Sequence, residues 1–556
     1  MLQLPLTRKN HNQENFNGFV LKPAAGLNIG YLAWTVPLIL AVIVGLFTIN
    51  GRFIQDDQIA ILKNPIVVSK SISWSEPFRR DFWGKTVDGP ITTWRPLLPI
   101  IWRILWRIEP GSPFPFRLLT LLLHLMATGI VFLLADQLLH NRPVSFLTAC
   151  LFAVHPIHAE AIGEIVGQAD ILSTVLGLLA VYIAFSRNRK STPFLVTALL
   201  IAASLAKESA IVFSALVAVS ALMPGEAPLH RRICISSCAA LVTAATVFLQ
   251  LSFKRIVPTP IINIAFRAHG GEKILHSLYI IGRAMSMCFV PVGMCAYHDY
   301  AAIDLSLATL LPYAIPGALF LCIGIGAFLI SLQKKSAAAL IGTGLLFGPI
   351  IINSSLILPI ASELAERLLY PASAAACALM ALAVYRIKLS RLRGALAALL
   401  VLLFLALSWS AQMPWRKGAD LYAYALKAEP LSARLNVVNG MFALAKGDLD
   451  SAAWLFMVTT YVLEHFPNRV DPLPIIELEK LPVGSRLLEG PALFAPEDRC
   501  GFLGNYFMFL EVETPHLAPL VRDFLLKTYP ACDKMQGSPD FRQKIRILPK
   551  YVPDAP

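Results

Sequence analysis

Long apolar runs alternate with short polar segments through the first three quarters of the chain. A helix that crosses a bilayer needs about 20 apolar residues, and many of these runs reach or approach that length. The pattern therefore predicts about eleven transmembrane helices, several of them short and tightly paired. The predicted spans are 31–50, 116–139, 144–155, 170–186, 193–206, 210–223, 232–252, 306–332, 336–359, 369–386 and 394–413. Arg283 interrupts a further apolar segment, 273–290, which is interpreted as an interfacial or re-entrant helix.

The composition excludes several classes of protein. Of the 556 residues, 56% are hydrophobic and 15% are charged, whereas a soluble domain has about 45–50% apolar and about 25% charged residues. An ordinary soluble enzyme, a disordered chain and a fibrous protein are excluded, and the prediction is an all-α polytopic membrane protein. Nine cysteines are too few for a disulfide scaffold, and no CxxC or Cys/His zinc pattern occurs.

Lysine and arginine residues in the short loops predict the orientation, because cytoplasmic loops are enriched in them. The net charge of +13 is therefore explained by membrane topology in preference to binding of a nucleic acid. Lys207 and Arg367 are the exceptions in the outer set of short loops, and they stand next to Glu208 and Glu366. Together with the N-terminal segment 1–30, the loops predicted to be cytoplasmic contain Arg142, Arg187, Arg189, Lys190, Arg231, Arg232, Lys334, Lys335, Arg386, Lys388, Arg391 and Arg393.

The acidic residues of the membrane region favour the opposite side. Before residue 414, all of them except Glu14, Asp136 and Glu226 fall outside or at the outer ends of the predicted spans. Acidic residues contribute little to topology, so insertion rules do not explain this excess, whereas ionisable groups at membrane depth are functional candidates. The working face is therefore predicted to be extracytoplasmic. Three long segments are predicted on that face: 51–115, 253–305 and the C-terminal domain 414–556.

The first outer segment opens with two adjacent carboxylates, Asp56 and Asp57, at the exit of the first span. Their repulsion tends to raise the pKa of one carboxyl group, which suits a general base. An acidic pair at a helix N-terminus or in a surface turn has the same spacing. From the spacing alone, the structural interpretation is favoured.

A second polar cluster interrupts an apolar region; its members are His155, His158, Glu160, Glu164, Gln168 and Asp170. The histidines are three residues apart and the two glutamates are four apart, so each pair has the spacing of neighbours on one helix face. Histidine and carboxylate are metal ligands, but no dedicated spacing such as HExxH is present. A hydrogen-bonded polar network that lines a cavity is favoured over a metal site.

Three cations, Arg95, Lys207 and Arg367, are predicted on the same outer face. Arginine binds phosphate bidentately and lysine binds it as a point charge, so these residues are suited to hold a phosphate leaving group. The structural alternative is a set of buried ion pairs, because Glu208 follows Lys207 and Glu366 precedes Arg367.

The motifs also occur in a distinctive order. They run Phe53-x-x-Asp56-Asp57, Arg95-Pro96-Leu97, His124 in a leucine-rich run, His155 to Glu160 with Gly167 to Asp170, Ala206-Lys207-Glu208-Ser209, and Glu366 to Pro371. This order resembles the transmembrane and tetratricopeptide repeat-containing O-mannosyltransferases and their bacterial relatives. Those enzymes belong to the C-type glycosyltransferase superfamily (GT-C), and the resemblance covers residues 31–413.

The resemblance implies a catalytic domain of the GT-C type and a mechanism. Such enzymes move a sugar from dolichyl or polyprenyl phosphate to an acceptor hydroxyl, with inversion, on the outer or luminal side. Asp56 is then implied as the base and Asp57 as the group that orients or tunes it. Lys207 and Arg367, with Arg95 as a third cation, are implied as the phosphate-binding residues. The residues implied for the substrate cavity are His155, His158, Glu160, Glu164, Asp170, Glu208, Glu366 and Tyr370.

A phosphomonoester leaves without an acid catalyst, so no metal and no cofactor is predicted, and the lipid-phosphate-linked sugar is the co-substrate. The predicted partners are the lipid bilayer, this donor and a protein or glycan acceptor, with no nucleic acid. Two other classes stay open, a transporter or flippase of a lipid-linked or anionic substrate and a non-catalytic membrane scaffold. A transporter should show paired broken helices in two related halves, and no such internal repeat is visible.

The C-terminal domain departs from the resemblance, because those enzymes usually carry a long repeat array. Here only Ala433–Pro467 resembles a tetratricopeptide repeat, and a solenoid needs about three repeats to bury a core. We expect at most one helical hairpin on a small, mainly helical domain that guides the acceptor or covers the mouth of the site. Cys500 and Cys532 lie on the predicted oxidising side and either form a disulfide or stay unpaired. The short tail favours a bacterial inner membrane with the active site facing the periplasm.

Overall fold

The computed structural model describes residues 29–85, 93–186, 190–225, 227–253, 270–294, 307–357, 364–428 and 433–446, with the single positions 448, 451, 455 and 458. Within these ranges every regular secondary-structure element is a helix, in agreement with the all-α class. The α-helices, in chain order, are α1 Ile29–Leu46, α2 Pro65–Val68, α3 Leu97–Ile108, α4 Phe114–Leu139, α5 Arg142–Ala153, α6 Ala159–Gly163, α7 Gln168–Ser186, α8 Thr192–Ala206, α9 Ile211–Ser220, α10 Leu229–Phe253, α11 Gly271–Phe289, α12 Leu307–Gln333, α13 Ala337–Asn353, α14 Tyr370–Tyr385, α15 Ser390–Gln412, α16 Gly418–Ala428 and α17 Ala433–Ala445.

Each predicted span coincides with an apolar helix. In the described part of the chain, six helices are long and apolar enough to cross a bilayer, which makes this a multi-pass membrane protein. A seventh candidate is α5 together with Pro156–Gly163, where the axis bends by 44°. The other predicted spans correspond to shorter apolar helices, so the count of eleven stays a prediction. These shorter helices are Trp34–Leu46, Thr192–Ala206, Glu208–Ser220 and Ala337–Asn353.

The helices differ in how much of their surface the protein covers. Within the apolar windows of α4 and α14, 61% of the residues are buried, whereas the figure is 17% for α12 and α15. The outer faces of α12 and α15 present aliphatic side chains such as Leu319 and Leu402, which are 60% and 63% exposed. Such surface is unfavourable in water and suits lipid tails, so α4 and α14 form the core and α12 and α15 form the periphery.

Several helices stop where the predicted site begins. Helix α5 ends at Ala153, and Pro156 opens a run of short helical turns that lasts until α7. Helix α8 ends at Ala206, so that Lys207 is its C-cap in an extended conformation. Helix α14 begins only after a 3-10 turn at Glu366–Leu369. Broken helices leave backbone groups and polar side chains free to converge inside a membrane protein, and here the breaks carry the acids and bases of the predicted site.

The segment predicted as interfacial or re-entrant forms α11, which packs closely along α12. A side chain at Gly282 would overlap the carbonyl of Tyr313, and a side chain at Gly317 would overlap the carbonyl of Leu278. Small residues at this crossing let the two backbones approach, as in membrane helix pairs. The expected interruption at Arg283 is accommodated, because its guanidinium donates to the Tyr313 hydroxyl at 3.2 Å.

The chain that follows α15 packs on the first outer segment and then forms a helix pair. Trp415, Ile54 and Leu421 share one buried cluster, while α16 and α17 pack together through Tyr422 and Val438. This pair begins one helix earlier than the predicted hairpin Ala433–Pro467, most of whose second half lies outside the described residues. Cys500 and Cys532 also lie outside them, so their pairing stays a prediction.

Candidate active site

The two aspartates of the first outer segment have opposite environments. Asp57 is fully buried and accepts hydrogen bonds from the backbone N–H of Val166 at 2.9 Å and of Ile54 at 3.2 Å. Gln55, just before the pair, has a φ of 49°, which places this non-glycine residue in the left-handed region. Asp57 therefore anchors a strained turn, and that turn presents Asp56.

Burial governs the titration of Asp57. It raises the pKa of this carboxyl to about 6, against the opposing effects of Arg117 and of the backbone N–H donors. The Arg117 guanidinium lies 4.0 Å from Asp57 Oδ2. The pKa of the second aspartate is thus raised by desolvation, and repulsion from Asp56, the cause that the adjacent pair predicts, is not among the effects on Asp57.

Asp56 is half-buried, and its carboxylate has no hydrogen bond and no ion pair among the described residues. Its backbone N–H donates to Glu164 Oε1 at 3.3 Å, so the turn is tied to the second polar cluster. Asp56 also interacts electrostatically with Arg367. A carboxylate with exposed, unused oxygens beside an arginine is suited to accept a proton from a bound hydroxyl.

Arg367 is hydrogen-bonded to the two glutamates of the second polar cluster. One guanidinium nitrogen, Nη1, donates to Glu160 Oε1 at 2.5 Å and to Glu164 Oε2 at 3.0 Å, and the Arg367 backbone N–H donates to Glu160 Oε2 at 2.9 Å. Its Nε and Nη2 make no hydrogen bond within the described ranges, and 20% of the side chain is exposed. Among the described residues, Arg367 therefore keeps a free donor edge, formed by Nε and Nη2. Asp56, Glu160, Glu164 and Arg367 are called the carboxylate–arginine region below.

Lys207 pairs with a carboxylate far along the chain. Its Nζ lies 2.6 Å from both oxygens of Asp170, and only 6% of the lysine side chain is exposed. The neighbouring Glu208 instead accepts both hydrogen bonds of a bidentate pair from Arg95, at 2.8 and 2.7 Å. Sequence neighbours thus do not pair with each other, because the break after α8 turns the two side chains toward different partners.

The three predicted phosphate-binding cations lie close together. Arg367 and Arg95 each interact electrostatically with Lys207, and Asp170 interacts with all three. The structure therefore brings the aspartate pair, the acidic residues of the second polar cluster and the three cations to one region, although they are up to 311 positions apart in the chain, from Asp56 to Arg367. Glu366 is buried beside Glu160. The roles of all these residues stay predictions.

The histidines occupy a different environment. We call His124, His155, His158 and Tyr370 the histidine region; all four are fully buried. His124 Nδ1 is 2.8 Å from the Tyr370 hydroxyl, and His158 Nε2 is 2.8 Å from the Ser373 hydroxyl.

His155 joins the same internal network through its two ring nitrogens. Nε2 lies 3.0 Å from the Cys288 carbonyl oxygen, and Nδ1 accepts from the Ile157 backbone N–H at 3.2 Å. These contacts match the hydrogen-bonded network that the spacing predicts. His155, His158 and Tyr370 are expected to line a substrate cavity. In the structure their side chains have no exposed surface, and Phe152 and Phe404 pack against the histidine rings.

Two residues hold the site together: Gln168, which belongs to the second polar cluster but has no predicted role, and Arg117, which the sequence analysis does not assign to the site. Gln168 accepts from the Trp102 indole at 2.8 Å and donates to the Phe116 carbonyl and to the Thr120 hydroxyl at 2.7 and 2.8 Å, which joins three helices. Arg117 binds backbone carbonyls on both sides of the site. The signal that points to Arg117 is its position inside a predicted span, where a charge is costly unless it is paired.

No group of three or more His, Cys, Asp or Glu side chains in the described part of the chain has the arrangement of a metal site. The prediction that the reaction needs no metal stays a prediction.

Comparison with known proteins adds to this geometry. No family model matches the chain. Over 178 residues the chain is 38% identical to protein O-mannosyl-transferase Tmtc1 of Drosophila melanogaster, an alignment that covers 31% of this chain and 20% of that protein. Over 410 residues it is 24% identical to protein O-mannosyl-transferase F38B6.6 of Caenorhabditis elegans, covering 71% of this chain and 58% of that protein.

The chain is a relative of the TMTC protein O-mannosyl-transferases. The resemblance given by the motifs is thereby confirmed. A mouse relative, TMTC3, is 25% identical over 461 residues, covering 74% of this chain and 49% of that protein. The matched part of the chain thus spans between a fifth and about three fifths of these TMTC relatives.

Two solved structures of an archaeal oligosaccharyltransferase from Archaeoglobus fulgidus also align with the chain. The complex of AglB with an inhibitory peptide and a dolichol-phosphate has a TM-score of 0.42 at 13% identity and covers 70% of this chain and 56% of that chain. The apo form has a TM-score of 0.39 at 14% identity, covering 69% and 56%.

Proposed function

We propose that the protein is a membrane glycosyltransferase that transfers a sugar from a lipid-phosphate-linked donor to an acceptor hydroxyl. The observation that carries the proposal is the electrostatic interaction of a partly exposed carboxylate, Asp56, with Arg367. Among the described residues the Asp56 carboxylate has no hydrogen bond, and Arg367 Nε and Nη2 have none either. Names of the TMTC relatives add the class of sugar and acceptor: mannose and a protein hydroxyl.

The proposed reaction is a single displacement. Asp56 accepts the proton of the acceptor hydroxyl as the oxygen attacks the anomeric carbon of the sugar. The bond between that carbon and the donor phosphate oxygen breaks, and its electron pair leaves with the phosphate. The attack from the opposite face inverts the anomeric centre, and the products are the glycoside and the free lipid phosphate.

Arg367 is the proposed contact for the departing phosphate. Its Nε and Nη2 are the donors left over after Nη1 has bound the two glutamates, and a guanidinium edge fits a phosphate bidentately. Glu160 and Glu164 hold the guanidinium in place before the donor arrives, so that little reorganisation is required when negative charge develops.

Lys207 and Arg95 are proposed to add positive potential rather than direct contacts. Lys207 forms an ion pair with Asp170, and 6% of its side chain is exposed. The Arg95 guanidinium donates two hydrogen bonds to the Glu208 carboxylate. Both cations still lie close enough to influence Arg367. A phosphate held by Arg367 would experience their field without replacing their carboxylate partners.

The remaining parts of the proposal concern placement in the membrane. The distribution of Lys and Arg in the loops supports an extracytoplasmic active site, on the side where Asp56 follows α1. The TMTC relatives come from animals, so they lend no support to the bacterial inner membrane that the short tail predicts.

The test is a transfer assay in membranes that contain the wild-type protein. Polyprenyl-phosphate mannose and polyprenyl-phosphate glucose, each labelled in the sugar, are incubated with a peptide rich in serine and threonine. We expect labelled peptide from the mannosyl donor, a loss of about 10³-fold in Asp56→Asn, and near-normal transfer in Glu76→Gln, whose carboxylate pairs with Arg80 in the same outer segment. Movement of labelled lipid across the membrane without any transfer would support the transporter class instead.

A further inference from the structure

Arg117 is a buried arginine whose contacts fall on both halves of the site. Only 2% of the residue is exposed, at the start of α4. Its Nη2 donates to the Arg52 carbonyl at 2.7 Å, and its Nη1 donates to the Gly163 carbonyl and, at 3.5 Å, to the Ile162 carbonyl. The same guanidinium lies 4.0 Å from Asp57.

These contacts join two segments that are distant in sequence. Residues 52–57 carry Asp56, and residues 160–166 carry Glu160 and Glu164, which hold Arg367. Two other hydrogen bonds cross the same junction, from Asp56 N–H to Glu164 and from Val166 N–H to Asp57. Arg117 is the cation of this junction, opposite the carboxylates of Asp57 and Glu164, and it makes no hydrogen bond to Arg367.

We propose that Arg117 is a positioning residue that sets the distance between Asp56 and Arg367. This inference rests on the proposed function for its catalytic consequence, although the junction itself is defined by geometry alone. Arg117 fixes the carbonyls at 52 and 162–163 and balances the buried charge of Asp57, so the turn that presents Asp56 docks in one position on the segment that holds Arg367.

The charge of Arg117 is part of its role. Asp57 is fully buried, faces Arg117 and Glu164, and accepts from the backbone N–H of Ile54 and Val166. Without the guanidinium, an ionised Asp57 would keep its backbone donors but lose its nearby cation, so it would take up a proton at higher pH. A protonated Asp57 binds the Val166 N–H less strongly, since hydrogen bonds to an ionised acceptor are stronger.

The chain provides a matched control. Arg103 is also a buried arginine, 1% exposed, and it also donates to backbone carbonyls, those of Ser73 at 3.1 Å and of Ile72. Its cation rests on the ring of Trp74 and no carboxylate pairs with it within the described ranges. Loss of Arg103 should loosen the same outer segment without moving the Asp56 turn.

The first measurement needs no catalytic activity. Hydrogen exchange of the full-length protein in detergent, read by mass spectrometry, is compared for wild type, Arg117→Gln and Arg103→Gln. We expect Arg117→Gln to speed exchange at Ile54 and Val166 by about 10-fold or more, with wild-type protection retained near 69–75. Arg103→Gln should show the reverse pattern. Unchanged protection at both Ile54 and Val166 in Arg117→Gln would overturn the proposal, whether or not the protein transfers sugar.

The second measurement is kinetic. Arg117→Gln should lower kcat by about 10²-fold with donor KM within about 3-fold, because a misplaced base costs rate more than binding. The acid limb of its pH–rate profile should move to higher pH, and Arg117→Lys should restore part of the rate. Equal losses in Arg103→Gln and Arg117→Gln, with unmoved pH profiles, would reduce Arg117 to a general fold contact.

A double variant separates charge from packing. Because Asp57→Asn removes the buried charge, adding Arg117→Gln to it should cost less than in the wild-type background, whereas additive losses would contradict the role of the charge. If Arg117→Gln does not accumulate, Gly51→Ala replaces it: the new methyl would lie 2.9 Å from the Thr48 carbonyl oxygen and 3.2 Å from Arg117 Cζ, so it would shift the local backbone together with a guanidinium that keeps its charge. A wild-type protein with no transfer would refute the proposed function while leaving the exchange result to decide the junction.

Discussion

The carboxylate–arginine region and the histidine region are both rich in ionisable groups, and the sequence assigns both to one site. In the structure they differ in what their polar atoms still have available. Asp56 and Arg367 keep exposed surface, and they have donors or acceptors that no described residue uses. His124, His155 and His158 are fully buried, and their ring nitrogens are bonded within the protein with the exception of His158 Nδ1.

The difference teaches that residue type does not identify a reactive group in a membrane protein. A group can act on a substrate only if it has both access and free bonding capacity, whereas a buried polar group must satisfy its hydrogen bonds internally. By this criterion the first region is suited to chemistry and the second region to support of the helix breaks around it.

After Asp56→Asn, the largest effect that would sharpen the comparison is expected at Arg367. Arg367→Gln removes the free donor edge and takes the guanidinium away from Glu160 and Glu164, although Glu160 keeps the backbone N–H of residue 367. We expect donor KM to rise and kcat/KM for transfer to fall by about 10²-fold or more, because removal of a charge-stabilising donor costs about that much. Steady-state kinetics with varied donor measure both constants. Arg80→Gln, which breaks the ion pair with Glu76 in the same outer segment, is the control and should stay within about 2-fold of wild type.

Lys207 tests whether a buried ion pair, like the histidine region, contributes to stability and not to donor binding. Lys207→Met leaves Asp170 buried and unpaired, and a loss of about 3–5 kcal/mol in stability is expected. Lys207→Met combined with Asp170→Leu should recover most of that loss, with donor KM within about 3-fold of wild type. Thermal unfolding in detergent and donor kinetics decide the outcome. A double variant that is stable but has a strongly raised donor KM would show that Lys207 contacts the phosphate directly.

Asp57 predicts a dependence of stability on pH. Its pKa is raised to about 6 from an ordinary value of 3.8, so the folded state holds the proton more tightly than the unfolded state. This contribution to stability is full at pH values below 3.8 and is lost as the pH rises through about 6, roughly 2 kcal/mol between about pH 4 and about pH 8. Thermal unfolding of wild type and Asp57→Asn over this range measures it. The difference between the two proteins should change with pH, and a constant difference would contradict the assignment.

The smallest effect on transfer is expected in the histidine region. His155→Phe keeps the ring volume and removes the contacts with the Cys288 carbonyl and the Ile157 N–H. Loss of these bonds should cost about 1–3 kcal/mol of stability, while kcat/KM changes by less than about 3-fold. Unfolding and transfer are measured on the same preparation. A loss of transfer near that of Arg367→Gln, with normal stability, would end the division between the two regions.

Much of the fold could be predicted because hydrophobic periodicity reports helices directly. Every predicted span lies on a helix, from 31–50 on α1 to 394–413 on α15. The number of helices that cross the bilayer is harder to predict from the sequence, since α8, α9 and α13 are shorter than a full span. Sequence length alone does not say how such short helices are accommodated.

The sequence predicts that the motifs converge on one face of the membrane. It does not predict which charged side chains form ion pairs with each other. Charge and topology place Asp56, Lys207 and Arg367 on one face. Sequence adjacency, in contrast, suggests Lys207 with Glu208 and misses Asp170, because pairing depends on how the break after α8 directs each side chain. Arg117 was missed as well, since its partners are backbone carbonyls that leave no trace in a motif.

The division of labour between Asp56 and Arg367 has one direct test, made on a single variant. Asp56→Asn protein is purified and two quantities are measured: equilibrium binding of labelled polyprenyl-phosphate mannose, and the rate of sugar transfer in a single turnover. Since Arg367 is proposed to hold the donor and Asp56 to remove the acceptor proton, donor affinity should stay within about 3-fold of wild type while transfer slows by about 10³-fold. Transfer at the wild-type rate, or a loss of donor binding as large as the loss of transfer, would contradict it.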